Sequence, residues 1–410
     1  MPRSNNCEIA NYSPLDKISS ILLSPPGTEI VFGLSMPSRM SLFEISSNGC
    51  CSAIDVRSDH QRMQDEFRKR GINVINMRQI IGSELEKTQR TFRNKEQLLV
   101  ELKNRIYFLN QTYHLRDYKQ SITELETLLN KDIAEFGEGP AIAINATLNN
   151  CIKANGLYDP FNVSSPPAAN FMYWRDTNHV VGNEICTHTM YFPIRQREVI
   201  LTEIGLKSLD FKFRKIDLKK GSIEGGDIFP VEISGNRYSF IGRAERTSDE
   251  GVESWFDLHS KLWKNSGEGI IPLVIEGPTS GTQDQMHLDT FSQQISANSM
   301  IHCGEITSNR RVSLLSQKNG QMTKTALGTY QSWIENNFSN VYNMTRSEQL
   351  SYAPNVVVDG EIVYTTRDST PSVTKFIRNN CIEVVELRMN SLTELYGGAH
   401  CATSELRVKS

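Results

Sequence analysis

The sequence predicts a mixed α/β protein with a helical segment set into it. Three observations carry this. The first stretch alternates strand, helix and strand. A run of 54 residues from Ser83 to Phe136 contains neither Gly nor Pro. From residue 141 to the end, hairpins, helices and strands alternate.

The elements follow in chain order. Ile18-Ser-Ser-Ile-Leu-Leu23 is a short apolar run stopped by Ser24-Pro-Pro-Gly27, the pattern of a buried strand and a turn. Between Ser52 and Gly71 a helix is expected, with Met63 and Phe67 four apart on one face, and Ile72–Ile75 restarts a strand. In residues 78–140, Leu98, Leu99, Leu102, Ile106 and Leu109 keep helical spacing, as do Leu125, Leu128, Leu129 and Ile133. Charges alternate around them, as on solvated helix faces. This segment reads as a helical insertion of three or more helices, with residues 1–77 and 141–410 forming one α/β body. Further on, Pro140–Ile144 is a strand or a helix start, and residues 164–167 mark a loop. Glu198–Ile204, Arg237–Gly242, Ile270–Glu276 and Ile382–Leu387 read as strands. Val356–Tyr364 carries Asp-Gly between two β-rich runs, a hairpin signature. Thr370–Arg378 reads as a helix with Pro371 in its first turn. No sequence repeat with a period of 20 to 50 residues is visible.

Composition narrows the function. With 44 basic and 47 acidic side chains the formal charge is −3, so the broad basic field of a nucleic-acid or anionic-membrane binder is missing. No apolar run reaches the ~18 to 20 residues of a membrane span. Met1–Pro14 is polar and has no secretory h-region. The eight cysteines, at 7, 50, 51, 151, 186, 303, 381 and 401, form no C-x-x-C, and no Cys/His pair has zinc spacing. They read as reduced thiols of a cytoplasmic protein.

Four polar clusters stand in apolar surroundings: Asn170-Phe-Met-Tyr-Trp-Arg-Asp176, Ile223-Glu-Gly-Gly-Asp-Ile-Phe229, Gln285-Met-His-Leu-Asp-Thr-Phe291 and Tyr396-Gly-Gly-Ala-His-Cys-Ala-Thr403. Taken singly, each has a structural explanation. Arg175-Asp176 reads as a surface ion pair, Gly225-Gly226 as a turn, His287 as a satisfied core histidine and Cys401 as a small buried residue. Together they offer a thiol, a base and orienting acids. His287 and Asp289, two apart, would share a face on a strand. Carboxylates facing a thiol raise its pKa, and a bound cation reverses that. Such a site suits a positively charged electrophile, and a planar guanidinium matches paired carboxylates.

In this order the clusters resemble the guanidine-modifying, or pentein, superfamily, and arginine deiminase most of all. Ile21-Leu-Leu-Ser-Pro-Pro-Gly-Thr-Glu-Ile30, Arg195-Gln-Arg-Glu198, Gly242-Arg-Ala-Glu-Arg-Thr247 and Met286-His-Leu-Asp-Thr290 add to the resemblance. So does the helical segment, which sits where deiminases carry an insertion that amidinotransferases lack. The resemblance implies a five-bladed α/β propeller of ββαβ modules with the site at its centre. It implies Cys401 as nucleophile, and His287 as general acid/base with Glu224 beside it. Asp176 and Asp289 would grip the guanidinium, and Asn170, Arg195 and Arg246 would hold the amino-acid end. Arg175 receives no role of its own. No metal or organic cofactor is implied. The partner is an arginine-like small molecule, and the expected assembly is a homo-oligomer.

Two positions depart from the deiminase pattern. Tyr396 stands where an Arg precedes the nucleophile by five residues, and His400 stands where an Arg is common just before it. His400-Cys401 with Thr403 is more like the amidinotransferase ending. The reaction expected is hydrolysis of L-arginine, or a close guanidine, to citrulline and ammonia through a covalent thiouronium. The alternative is transfer of the amidino group to an amine. A third reading, a catalytically silent binding protein, is opposed by the complete Cys/His/Glu/Asp set.

Overall fold

The computed structural model describes residues 11–36, 51–88, 92–114, 116–151, 167–182, 184–267, 269–278, 282–366, 370–381 and 383–408. Its strands fall into five sheets, each built round one unit: an antiparallel pair, a crossover, and a third strand parallel to the second. β1 (Lys17–Leu23) and β2 (Asn73–Asn76) run parallel on either side of the helix Ala53–Lys69. β3 (Asn178–Val181) and β4 (Glu184–Thr187) form a hairpin, and the helix Gln196–Ser208 leads to β5 (Phe213–Lys215), parallel to β4. β6 (Ile228–Ile233) and β7 (Asn236–Arg243) repeat this with the helix Asp249–Ser266 and β8 (Ile271–Glu276).

In the next unit, β9 (Ser292–Ser296) and β10 (Ser299–Cys303) pair, and the crossover carries an extra hairpin. That hairpin, β11 (Arg311–Lys318) and β12 (Gln321–Thr329), adds to the edge at β8 before β13 (Asn340–Met344) returns parallel to β10. β14 (Val357–Asp359), β15 (Ile362–Thr366), the helix Pro371–Asn380 and β16 (Glu383–Leu387) make the last complete unit. β17 (Thr403–Val408) then runs antiparallel to β1 and supplies the first strand of the first unit. These are five ββαβ modules, a repeat that the sequence does not display because the crossovers differ so much in length.

The strands near the two ends, the helix Ala53–Lys69 and the Asp-Gly hairpin lie where the sequence puts them. Gly360, at φ +60°, takes the left-handed turn position. Thr370 caps its helix by accepting from the Val373 N–H, with Pro371 at N1. Pro140–Ile144 lies in the helix Glu138–Leu148. Of the loop expected at 164–167, all but Pro167 lies outside the described residues, as do Cys7 and Cys50.

Glu198–Ile204 is not a strand. It belongs to the helix Gln196–Ser208, whose buried residues Glu198, Val199, Leu201, Thr202, Gly205 and Leu206 keep helical spacing. A β-branched run is overridden here by packing. A Cβ on Gly205 would lie 2.6 Å from Met77 Cε, so this helix sits tightly on the helix Met77–Thr88.

Four helices, Met77–Thr88, Lys95–Tyr113, Tyr118–Phe136 and Glu138–Leu148, occupy the charged segment. Leu98, Leu102, Leu125, Leu128 and Leu129 share one apolar cluster with Ile21, Leu23, Phe32, Met63 and Phe67. A buried ionic network ties the same parts together. Asp132 accepts from Arg57 Nη1 at 3.0 Å and from Arg78 Nε at 2.8 Å, and Arg78 Nη1 donates to Glu29 at 2.9 Å. Removing one partner of such a network strands a buried charge, at a cost of about 3 to 5 kcal/mol. No described helix is long and apolar enough to cross a membrane.

Candidate active site

The segments that lead into the first strands of the five modules meet in one place. Cys401 lies two residues before β17, Asp176 two before β3 and Asn355 two before β14. Glu224 lies four before β6, and His287 and Asp289 five and three before β9. Three of these lead-ins are 3-10 turns: Trp174–Thr177, Gly225–Asp227 and Leu288–Thr290. His287 precedes its turn and Asp289 is inside it. The strand expected there is absent, and the two side chains serve opposite sides of the cluster.

On one side is His287, whose Nε2 lies 3.0 Å from Glu224 Oε2 and whose Nδ1 lies 3.7 Å from Asp176 Oδ1. The ring is buried, which opposes its charge, but Asp176, Glu224 and Asp227 outweigh that and raise it to about 9. Burial likewise resists ionisation of Glu224, yet His287, Arg246 and Arg195 hold it down at about 2. Gly226 is required beside the ring, because a Cβ there would come within 2.6 Å of His287 Nδ1. Gly225-Gly226 is thus more than a turn.

On the other side is Cys401. Its Sγ lies 3.6 Å from Asp289 Oδ2, and that oxygen also lies 2.7 Å from His400 Nδ1. Burial, then Asp289 and Asp176, pushes the thiol well above its ordinary value. Burial favours neutral Asp289, but His400 prevails and keeps it ionised.

Asn355, which sequence reasoning missed, holds Cys401 at two points. Its Nδ2 donates to Sγ at 3.0 Å, and its Oδ1 accepts from the Cys401 N–H at 3.0 Å. Only its place just ahead of the Asp-Gly hairpin could have drawn attention to it. Gly398 packs on it so closely that a Cβ would come 2.7 Å from Asn355 Oδ1.

Arg175 and Asp176 do not form a surface ion pair. Both are buried and each has other partners. Arg175 makes a two-pronged contact with Glu405, at 2.6 and 2.5 Å, and its Nε donates to the His400 carbonyl at 2.8 Å. It therefore clamps the Cys401 loop onto β17. Asp176 Oδ2 accepts from Arg195 Nη1 at 2.9 Å. Arg195 is further engaged by Glu198 through its Nε at 3.0 Å, and its Nη2 lies 3.5 Å from the Asn170 carbonyl.

Arg246 is held differently. Its guanidinium lies 4.4 Å over the Phe192 ring and 5.6 Å over Tyr191, with Nη1 3.9 Å from Glu224 Oε2. Tyr396 sits at φ +66° with its ring edge-on to Tyr352. The structure thus gathers Cys401, His287, Glu224, Asp176, Asp289, Asn170, Arg195 and Arg246 into one buried cluster of alternating charge. Among the described residues, three of its buried polar atoms have no hydrogen-bond partner: His287 Nδ1, Asp289 Oδ1 and Arg246 Nε. Such atoms are costly unless a ligand satisfies them.

Comparison with known proteins gives the chain a family and a fold. The arginine deiminase of Metamycoplasma arthritidis is 24% identical over 298 residues, which are 71% of this chain and 66% of that protein. The chain therefore spans just under two thirds of that relative. The arginine deiminase of Lentilactobacillus hilgardii is 24% identical over 306 residues, 72% of this chain and 68% of that protein. Among solved structures, a DDAH from Pseudomonas aeruginosa complexed with citrulline superposes with a TM-score of 0.54. It is 13% identical, over 95% of this chain and 99% of that one. The N-terminal domain of ArgZ, a cyanobacterial arginine dihydrolase bound to substrate, gives 0.53 at 11% identity, over 95% and 98%. These two share the fold. The family model for arginine deiminase matches residues 51–407, and the chain belongs to that family.

Proposed function

We propose that the protein hydrolyses the guanidinium group of L-arginine, or of a close relative, to the ureido product and ammonia. The observation that carries this is the buried Cys401 thiol beside Asp289, with Asp176, Glu224 and His287 completing the surround. An uncompensated thiolate is unfavourable there, and a planar cation between Asp176 and Asp289 supplies the compensation. Substrate binding and thiol ionisation are thereby coupled. The catalytic body is residues 1–77 and 141–410, with the helices of 78–140 as an insertion.

The chemistry runs in two halves. The Cys401 thiolate attacks the guanidinium carbon, and a C–S bond forms. The tetrahedral adduct collapses with cleavage of one C–N bond, and protonated His287 gives its proton to the departing ammonia. The resulting thiouronium is attacked by water, whose proton passes to His287. Cleavage of C–S then releases the ureido product and restores the thiolate, and the second proton of the water leaves with the ammonia as ammonium. Glu224 holds the imidazolium through its 3.0 Å contact. Asn355 and the Cys401 loop fix the sulfur. Arg246, with Asn170 and Arg195, receives the amino-acid end.

The test is product analysis. Pure protein and arginine should yield citrulline and ammonia in equal amounts. Ornithine as sole product would replace hydrolysis by amidino transfer, the reading that the His400-Cys401 ending favours. A mass-spectrometric screen across arginine, agmatine and methylated arginines identifies the guanidine that the Tyr396 site accepts.

A further inference from the structure

A second cluster of nitrogen and sulfur donors lies beneath the site. His179 on β3 faces Cys186 on β4 as a direct cross-strand partner, and His259 approaches from the helix Asp249–Ser266 of the next module. One ligand atom from each of the three lies within 4.8 Å of the others. The Nε2 atoms of His179 and His259 are 2.8 Å apart. All three side chains are buried; Cys186 packs with Val181, Ile216, Ile223 and Ile228, and the His259 ring lies against Trp255 and Trp263.

We propose that His179, His259 and Cys186 form a buried three-ligand site for a soft monovalent metal ion, copper(I). Two imidazoles and one thiolate are a donor set that selects soft and borderline transition metals. At the metal–ligand distances of such sites, about 2.0 Å to nitrogen and 2.3 Å to sulfur, ligand atoms stand roughly 3.5 Å apart. The imidazole nitrogens need to open by about 0.7 Å and the widest separation needs to close by about 1 Å. Both are within reach of small side-chain rotations.

Charge selects the ion. His179, Cys186 and His259 are all buried. The charged groups that act on Cys186, Glu184 and Arg214, pair with one another at 3.0 Å, and Arg175, which acts on His179, is paired with Glu405. Copper(I) with one thiolate leaves no net charge in this apolar pocket. A divalent ion leaves one uncompensated positive charge, which is costly to bury. Binding releases one proton, that of the Cys186 thiol.

A further contact supports the site. His179 Nδ1 lies 2.5 Å from His188 Nε2, and His188 Nδ1 lies 3.4 Å from the Asp176 carbonyl. An imidazole ligand oriented through its other nitrogen is the usual outer arrangement of a metal site. The ion would pin the β3–β4 hairpin to the neighbouring module, three residues beyond Asp176. None of these ligands follows a metal-binding spacing in the sequence. The fold alone assembles them.

The test is a copper(I) titration of the full chain without oxygen, against the chromogenic chelator bicinchoninate. A Cys401→Ala background removes the active-site thiol from competition. One equivalent should be withheld from the chelator. Adding Cys186→Ser, or His259→Gln, should weaken that equivalent at least 100-fold. X-ray absorption of the copper-loaded Cys401→Ala protein should show two nitrogens and one sulfur round the metal. This measurement needs no change at the site itself. Equal retention with and without Cys186, or a shell of sulfur only, overturns the proposal. So does retention of zinc(II) in preference to copper(I).

Discussion

Asn355 gives the sharpest test of how the sulfur is held. Asn355→Asp keeps the size of the side chain and an oxygen that can accept from the Cys401 N–H at 3.0 Å. It removes the Nδ2 donor 3.0 Å from Sγ and adds a negative charge there. A hydrogen bond to a charged group contributes about 1.5 to 3 kcal/mol, so its loss alone lowers kcat by roughly 10- to 150-fold. A new carboxylate beside a thiol already raised by burial, Asp289 and Asp176 pushes the loss to the upper end or beyond. KM should change less than kcat, because Asn355 touches the nucleophile. The assay is steady-state turnover together with the pH dependence of Cys401 alkylation by iodoacetamide, which should move to higher pH. Asn355→Ala is the companion. It leaves the Cys401 N–H and the Asp289 carbonyl unpaired, at about 1 to 3 kcal/mol each, and should lower Tm as well. Wild-type kcat and an unchanged alkylation profile in Asn355→Asp would refute the reasoning.

Three further outcomes are expected. Cys401→Ala should abolish turnover while the protein stays folded by circular dichroism, since little volume is lost and no second nucleophile stands by. Asp289→Asn should lower kcat/KM and also ease Cys401 alkylation at neutral pH, because a charge 3.6 Å from Sγ is removed; unchanged alkylation would displace Asp289 from its place by the thiol. The third concerns pH. The His287 value of about 9 in the folded protein exceeds its ordinary 6.5, so its stabilising contribution is complete below pH 6.5 and is lost as pH rises through about 9. Tm should therefore fall across that window, with kcat/KM declining over its upper part, and His287→Gln should flatten the Tm profile. The same Tm slope in the variant would assign the titration to another group.

What the sequence disclosed followed the range of the forces involved. The Val356–Tyr364 hairpin and the Thr370 cap are local chemistry, closed within a few residues, and both were legible. Val199-Ile200-Leu201 looks like a strand, and only the close seat of Gly205 on Met77 and Ile81 makes it helical. His287 and Asp289 are two apart in sequence, but the 3-10 turn that holds Asp289 and follows His287 is set by contacts far away. Leu288 N–H donates to Asp227 Oδ1, and Asn355 Nδ2 donates to the Asp289 carbonyl. Asn355 itself was invisible because its partners lie 46 and 66 residues away. The resemblance brought the charged residues to notice. The fivefold repeat of lead-in segments, which accounts for their meeting, exists only in three dimensions.

The pairing of β1 with β17 bears on how the protein is made. Leu23 pairs with Thr403, two residues beyond the nucleophile, so the strand that holds the Cys401 loop is made some 380 residues after its partner. Closing a contact of that span is slow and carries a large entropic cost. During synthesis the chain holds Asp176, Glu224 and His287 long before it holds a positioned sulfur. The sulfur is therefore positioned by the same event that pairs β1 with β17.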